Sequence, residues 1–293
     1  GIDAYVPNMV YGKIIAPPRR LGAKIVSVDD AAAKDITGYL MTMAINLPDE
    51  GLVSGLVTHT PVVLASSFPA AMRAAEMVEV TWDTTGCSSI NSDEIAAEAH
   101  AMLQDPQQAH EFMRIGDPNG AASSATHKLE RFYETSMIAH VPMEPLSALA
   151  HYSDGKLHLY CGHQFGTMIP GVISLYTGLK AEDIIFHPHL IGGGFGKKFE
   201  YEPLILAAIA AAQTKMPVKI IFTREDDMAF AHPRTPTIQR LRGFSDENGN
   251  LSGTTHDIAG GWMGWYQLGF DLGMFPSFVD GKPSVNEKGL VEG

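Results

Sequence analysis

Residues 183–223 read DIIFHPHLIGGGFGKKFEYEPLILAAIAAAQTKMPVKIIFT, and the parsing of this stretch decides the fold. Its first apolar run reads as a strand, the glycines as a turn, the Ala/Leu-rich segment from about Tyr201 to Lys215 as a helix, and PVKIIFT as a second strand. Pro217 is expected to enforce the end of the helix. Gly192, Gly193, Gly194 and Gly196 free the backbone from Cβ clashes, so positive φ and close approach to a bulky ligand both become available. Backbone N–H groups at such a turn, with a helix starting just after it, favour an anionic or oxo group. The plain alternative is a tight strand-to-helix connection. A nucleotide turn fits poorly, because G-G-G-F-G followed by Lys197 and Lys198 matches neither G-x-G-x-x-G nor a phosphate loop ending in G-K-S/T.

Working outward, SALAHYSDGKLHLYCG (147–162) reads as a hairpin turned at Ser153–Lys156, and MIPGVISLYTGL (168–179) as a helix entered at Pro170 and stopped at Gly178. LRGFSDENGNLSGTTHDIAG (241–260) reads as a further hairpin turned at Glu247–Gly249, and THKLERFYET (126–135) as strand. Residues 84–125 are polar and Ser/Ala-rich, with a helix near Asp93–Leu103 and a turn at Asp117–Gly120. Before them, MVYGKII and GAKIVSVD read as paired strands, AAAKDITGYL as a short helix stopped at Gly38, and LVSGLVTHTPVVLASS as strand. PAAMRAAEMVEVTWD begins with a helical face of Ala70, Ala74 and Met77 and then changes to a period of two. The expected fold class is therefore α+β, with a first domain at 1–83, a linker with a short helix at 84–125, and a second domain at 126–293.

Composition limits the function classes. With 293 residues, 45% of them hydrophobic, the chain can bury a sizeable core. A net charge of -12 gives no basic field to attract nucleic acid. Cys87 and Cys161 lack a neighbouring cysteine at metal-ligand spacing, and Cys161, in an apolar strand-like run, reads as a small buried hydrophobe. No run of about 18 apolar residues is present, and GIDAYVPNMVYGK has neither the basic nor the apolar region of a signal peptide.

Taken together, four segments resemble the xanthine dehydrogenase and aldehyde oxidase family. IGGGFGKKFEYEP is similar to that family's glycine-phenylalanine-glycine loop, and VPMEPLSALAHY to the segment preceding its cofactor-facing strand. CGHQF places Gln164 where the family has a glutamine, and TREDDMAFAHPRTPTIQRLRGFSDENGNL matches the downstream arginine, helix and hairpin region. APPRRLGAKIVSVDDAAAK and FPAAMRAAEMVEVTWD resemble its small α/β hammerhead domain, so the second block is expected to be part of a molybdenum-cofactor-binding domain. The short MEP segment and the paired basic residues after GGGFG resemble the isoquinoline oxidoreductase and membrane-associated aldehyde dehydrogenase subgroup.

The resemblance implies a molybdopterin-type molybdenum cofactor and oxidation of an aldehyde or aromatic N-heterocycle with water as oxygen source. It implies that electrons pass to iron-sulfur clusters on a partner subunit, with cytochrome c as a further candidate partner. Gln164 is the expected donor toward the cofactor's apical oxygen; its plain alternative is a strand glutamine bonded to backbone or solvent. Gly194, Phe195 and Gly196 are expected to approach the cofactor, and Phe195 and Phe199 to line the substrate channel. Where the purine-oxidising branch carries a substrate-contacting glutamate, this chain has Phe199, which disfavours purines. Glu200 is expected to be an exposed first-turn helix glutamate. The family's general base and most of its pterin-holding loops lie in a later half, so the sequence is expected to be an interior fragment that is inactive alone and exposes an apolar face to the remaining half or to an oligomer. The resemblance points to a periplasmic location, with a cytoplasmic one left open.

Other features have plain readings. His187 and His189 share one strand face without an evident third ligand and are read as structural. Asp226–Asp227 reads as a solvated helix start, and Met143–Glu144–Pro145 as a packing and turn element close to the cofactor strand. Arg234 is read either as an organiser of the cofactor region or as an ordinary ion-pair partner. A nicotinamide enzyme would have only Glu225 or Asp226 as a distant ribose partner, and a non-catalytic assembly fragment is the remaining alternative.

Overall fold

The computed structural model describes residues 1–48, 56–89, 91–105, 111–230, 232–261, 278–279 and 282–283. The first elements are β1 (Val10–Ile14), β2 (Lys24–Asp29), β3 (Tyr39–Asn46), β4 (His59–Ala65), α1 (Phe68–Glu76) and β5 (Glu79–Asp83). There follow α2 (Ser92–Met102), β6 (Met113–Arg114), α3 (Pro118–Ser124), β7 (His127–Thr135), β8 (Ser147–Ser153), β9 (Lys156–Cys161), α4 (Ile169–Thr177) and β10 (Ile184–Pro188). The remainder are α5 (Glu202–Thr214), β11 (Val218–Ile221), α6 (Arg224–Ala229), β12 (Thr237–Ser245), β13 (Leu251–Gly260), β14 (Phe278–Val279) and β15 (Lys282–Pro283). The fold is α+β. Residues 52–55 of the LVSGLV run and most of 262–293 lie outside the described residues.

Two compact units result, one from 1–88 with 139–233 and the other from 89–138 with 234–293. This partition is not the sequential one read from composition, for a topological reason. The first unit is built on a seven-stranded sheet ordered β10-β9-β8-β11-β1-β4-β3. β1 lies in its interior, parallel to β11 with Val10 opposite Val218, and antiparallel to β4. Strands from the start of the chain are thus completed by strands from its second half. β1 and β2 do not pair with each other as expected; β2 instead forms a two-stranded ribbon with β5. The side chains explain the separation. Val10, Gly12 and Ile14 are buried, as a central strand requires, whereas β2 is mostly exposed.

β8 and β9 form the expected hairpin. β9 and β10 are parallel, and α4 supplies the crossover between them. α5 packs on β8 and β11 and is buried almost all round, with Leu204, Ile205, Ala207, Ala208, Ala210 and Ala211 inside the main core. The alanines allow the helix axis to approach the sheet closely. Pro217 does not itself end this helix. Lys215 turns the chain in the left-handed region at φ 59°, its N–H bonded to Ala211 and its ammonium over the Tyr152 ring.

The second unit centres on the sheet β13-β12-β7, with β12 paired along its whole length on both sides. Ala99 and Leu103, at the end of α2, pack on Ile238 and Ala259. The Asp117–Gly120 turn proves to be the start of a helix, α3, where the Asp117 carboxylate caps the Gly120 N–H and Pro118 opens the first turn. The hairpin turn near Glu247–Gly249 forms as read, held by Asp246 accepting from the backbone of Asn248 and Asn250.

Candidate functional site

The glycine turn and the end of β9 bring Gln164, Gly194, Phe195 and Gly196 together within the first unit. Gly196 N–H donates to Gln164 Oε1 at 3.0 Å, and Gln164 N–H donates to the Lys198 carbonyl at 2.9 Å. Because a backbone N–H can only donate, the Gln164 amide is oriented with its oxygen toward the turn. Its donor NH2 half faces the other way, on an exposed residue. A Cβ on Gly194 would lie 2.8 Å from Gln164 Oε1, so this glycine forms the seat for the glutamine. Gly196 has φ 96°, and Phe195, a non-glycine residue, is held at φ 55° and is 73% exposed. A left-handed phenylalanine costs roughly 1–2 kcal/mol, a strain that residues at ligand sites commonly carry.

Phe199 turns inward from the same loop. It packs against the main core and stacks on Phe165 with centroids 5.5 Å apart, meeting Tyr201 edge-on at 6.0 Å. Phe165 is the exposed member of this aromatic group and was not singled out from the sequence, although it directly follows Gln164. His163 lies beneath, against Tyr201, and burial pushes its imidazole down to about 4. His140 is another unforeseen neighbour. Its Nε2 would sit 3.4 Å from a Cβ on Gly196, and burial holds it below the ordinary imidazole range.

Two acidic readings are corrected. Glu200 is not an exposed helix glutamate: it precedes α5, is buried, and accepts from Lys197 Nζ at 2.9 Å and His232 N–H at 3.1 Å. Burial alone would raise its pKa, but His232 and Lys197 together hold it below the usual carboxylate range. Asp226 and Asp227 are not solvated. Asp226 closes a capping box with Thr223 and pairs with Lys13 at 2.7 Å, while Asp227 pairs with Arg224 at 2.9 Å. Lys13 and His232 reach Asp226 and Glu200 from outside the local pattern, and Asp227 also accepts from the distant Leu146 N–H at 3.4 Å.

Glu200, Glu202 and His232 bring potential ligand atoms within 4.8 Å of one another, all buried. Glu202 is fully enclosed, its carboxylate without a hydrogen-bond partner among the described residues, and burial raises its pKa. Arg20 already places Nη2 3.7 Å from Glu202 Oε1 and 2.7 Å from His232 Nε2, and Lys197 holds Glu200. Lys197 thus already neutralises Glu200 and Arg20 lies against Glu202 and His232, so a divalent ion would add uncompensated positive charge to a dry interior. We read this group as a structural ion network.

His187 bonds to His158 on β9, Nε2 to Nδ1 at 3.0 Å, and stacks on Tyr160. This supports the structural reading of its side chain. Cys161 is buried, which pushes its thiol up to about 12. Arg234 belongs to the second unit, bridging to Ile138 through backbone.

A family model described as the molybdopterin cofactor-binding domain matches residues 101–277. The chain is 32% identical over 263 residues to a membrane-bound aldehyde dehydrogenase (pyrroloquinoline-quinone) of Gluconacetobacter polyoxogenes, covering 89% of this chain and 33% of that protein. It is 25% identical to isoquinoline 1-oxidoreductase subunit beta of Brevundimonas diminuta, covering 78% of this chain and 29% of the relative. Among solved structures, quinoline 2-oxidoreductase from Pseudomonas putida 86 matches with a TM-score of 0.68 at 18% identity, over 88% of this chain and 36% of that one. The chain thus spans about a third of the length of these curated relatives.

Proposed function

Because this chain belongs to the molybdopterin cofactor-binding domain family, we propose that its glycine turn forms one wall of the cofactor site in an aldehyde or aromatic N-heterocycle hydroxylase. The observation that carries the reading is the Gln164–Gly196 bond, which fixes a neutral amide with its donor half outward. The residues fit such a group. Gly194 leaves room for no more than the glutamine seated on it, Gly196 needs no Cβ, and the exposed Phe195 ring marks the edge of an accessible face. When bound, the cofactor supplies oxygen derived from water and takes up the electrons removed from substrate.

The chain's own residues orient and select. Gln164 donates to an oxo-type ligand without adding net charge, and preorganised donors of this kind carry much of the rate enhancement at such sites. Phe199 and Phe165 offer an aromatic surface rather than a carboxylate, and Glu200 is committed to the interior with Lys197 and His232. A polar purine anchor is therefore missing from this segment, which favours an apolar aldehyde or a flat heterocycle. The relatives' names include separate subunits, and we propose an iron-sulfur subunit and the remaining part of the molybdenum subunit as partners, with cytochrome c as a further acceptor. A periplasmic membrane face rests on likeness to a membrane-bound enzyme; no helix among the described residues is long and apolar enough to cross a membrane. Metal and pterin analysis of the full-length protein, with aldehyde-dependent dye reduction, tests the reading. Protein that folds but retains neither molybdenum nor pterin under cofactor-producing conditions would refute it.

A further inference from the structure

The two lysines that leave the glycine turn invite an anion-binding role, yet both are buried, Lys197 at 1% and Lys198 at 3% exposure. They diverge. Lys197 Nζ donates to Glu200 and to the Asp227 carbonyl, whereas Lys198 Nζ donates to Glu144 Oε2 at 3.1 Å and to the Pro145 carbonyl at 3.0 Å. Each ammonium is thus neutralised from a different side, and neither is left to hold a phosphate.

Glu144 reaches the other end of the turn as well. Its Oε2 accepts the Gly192 N–H at 2.7 Å, and its own N–H donates to the Gly192 carbonyl at 3.1 Å. A Cβ on Gly192 would fall 2.6 Å from Glu144 Cβ, so the two backbones are in close contact there. One carboxylate oxygen therefore ties Gly192, the first glycine of the turn, to Lys198, two residues beyond its last glycine. The Lys198 carbonyl in turn accepts the Gln164 N–H, and Gln164 Oε1 accepts from Gly196. These bonds form a continuous path from Glu144 to the amide proposed to face the cofactor.

We propose that Glu144 is a positioning residue, whose ion pair with Lys198 closes the glycine turn and thereby sets the Gln164–Gly196 contact. This deepens the cofactor-site reading and rests on it. A role as proton donor does not fit the geometry. The other oxygen accepts from Ile2 N–H at 2.7 Å, so both oxygens are engaged. Burial would raise the Glu144 pKa, but the Gly192 and Ile2 N–H groups and Lys198 outweigh it and hold it below the usual carboxylate range. The carboxylate is therefore ionised near neutral pH.

The test uses full-length protein carrying Glu144→Gln, Lys198→Met, both together, and Lys198→Arg. Hydrogen-deuterium exchange of the peptide containing residues 191–199 should accelerate by about tenfold in either disruptive single variant, the order expected for loss of one charge-assisted bond. The α5 peptide should stay within about twofold, and the double variant should exchange no faster than the singles, because both remove one interaction. Lys198→Arg keeps the cation and should exchange like wild type. In cofactor-loaded protein, Glu144→Gln should lower kcat about tenfold or more with KM within about threefold. Unchanged exchange at the turn, equal acceleration in α5, additive effects, or Lys198→Met behaving as Lys198→Arg would each overturn the proposal. Absence of cofactor from wild-type protein would instead refute the site reading, while the exchange data would still decide the clamp.

Discussion

Replacing Gly194 by alanine adds a single methyl group, and the structure locates its consequence. The new Cβ would lie 2.8 Å from Gln164 Oε1, 2.9 Å from Gln164 Cδ and 3.2 Å from Ile191 Cδ1. Gly194 is not among the positive-φ positions, so alanine brings no left-handed strain; the clash falls on the end of one flexible, exposed side chain. Swinging Gln164 aside breaks its bond to Gly196, worth about 1 kcal/mol at most at an exposed position. For a full-length protein larger than this chain that is a fall in Tm of no more than about 2 °C. The functional loss should be far larger, because displacing one preorganised donor costs on the order of 100- to 1000-fold in turnover, about 2.7–4 kcal/mol of barrier. Thermal unfolding of full-length protein, together with dye-coupled aldehyde oxidation normalised to molybdenum content, separates the two effects. A Gly194→Ala enzyme with full metal content and wild-type turnover would show that the seat under Gln164 does not matter. Gly196→Ala is the contrasting case, since its φ of 96° adds roughly 1–2 kcal/mol of backbone strain and should lower Tm further.

Gln164→Ala should itself reduce turnover by about one to three orders of magnitude while folding is retained, and wild-type turnover at normal metal content would exclude the assignment. Glu202→Gln should become more stabilising as pH rises. A carboxyl whose folded pKa is raised binds its proton more tightly in the native state, so wild type loses stability from the unfolded carboxylate range upward through the folded pKa, and the amide does not. Urea denaturation at pH 5 and pH 8 measures this, and an equal effect at both would contradict it. The Cys161 thiol, buried and pushed up to about 12, should resist a disulfide reagent in native protein and react only on unfolding, which a timed thiol titration will show.

What was legible in the sequence was local. α1, α4, α5 and the β8–β9 and β12–β13 hairpins follow from periodicity and turn residues within one short window, and the glycine turn from composition alone. Gln164 has no local signature, and only the family resemblance singled it out. The pairing of β1 with β11 was hidden because no short-range pattern reports which distant strand will lie beside another. The burial of Glu200, Asp226 and Asp227 was hidden for a related reason. A carboxylate at a helix start looks solvated until its partner is known, and Lys13, His232 and the body of α5 are brought to it by the fold. His140 and Phe165 were overlooked although they sit four residues before Glu144 and one after Gln164.

The interleaving of the first unit has a consequence for synthesis on the ribosome. β1 finds β4 soon after it emerges, but its other edge waits for β11, about two hundred residues later. At roughly 5–20 residues per second this is on the order of 10–40 seconds during which an apolar central strand presents an unpaired edge. The hairpin β8–β9, which extends this sheet, and helix α5, which packs on it, emerge within the same interval, after the segment of the second unit that interrupts it. The nascent chain therefore carries an open β-edge while about two hundred residues are added, and closure of that edge and assembly of the glycine turn fall at nearly the same moment, since only the helix α5 separates the turn from β11.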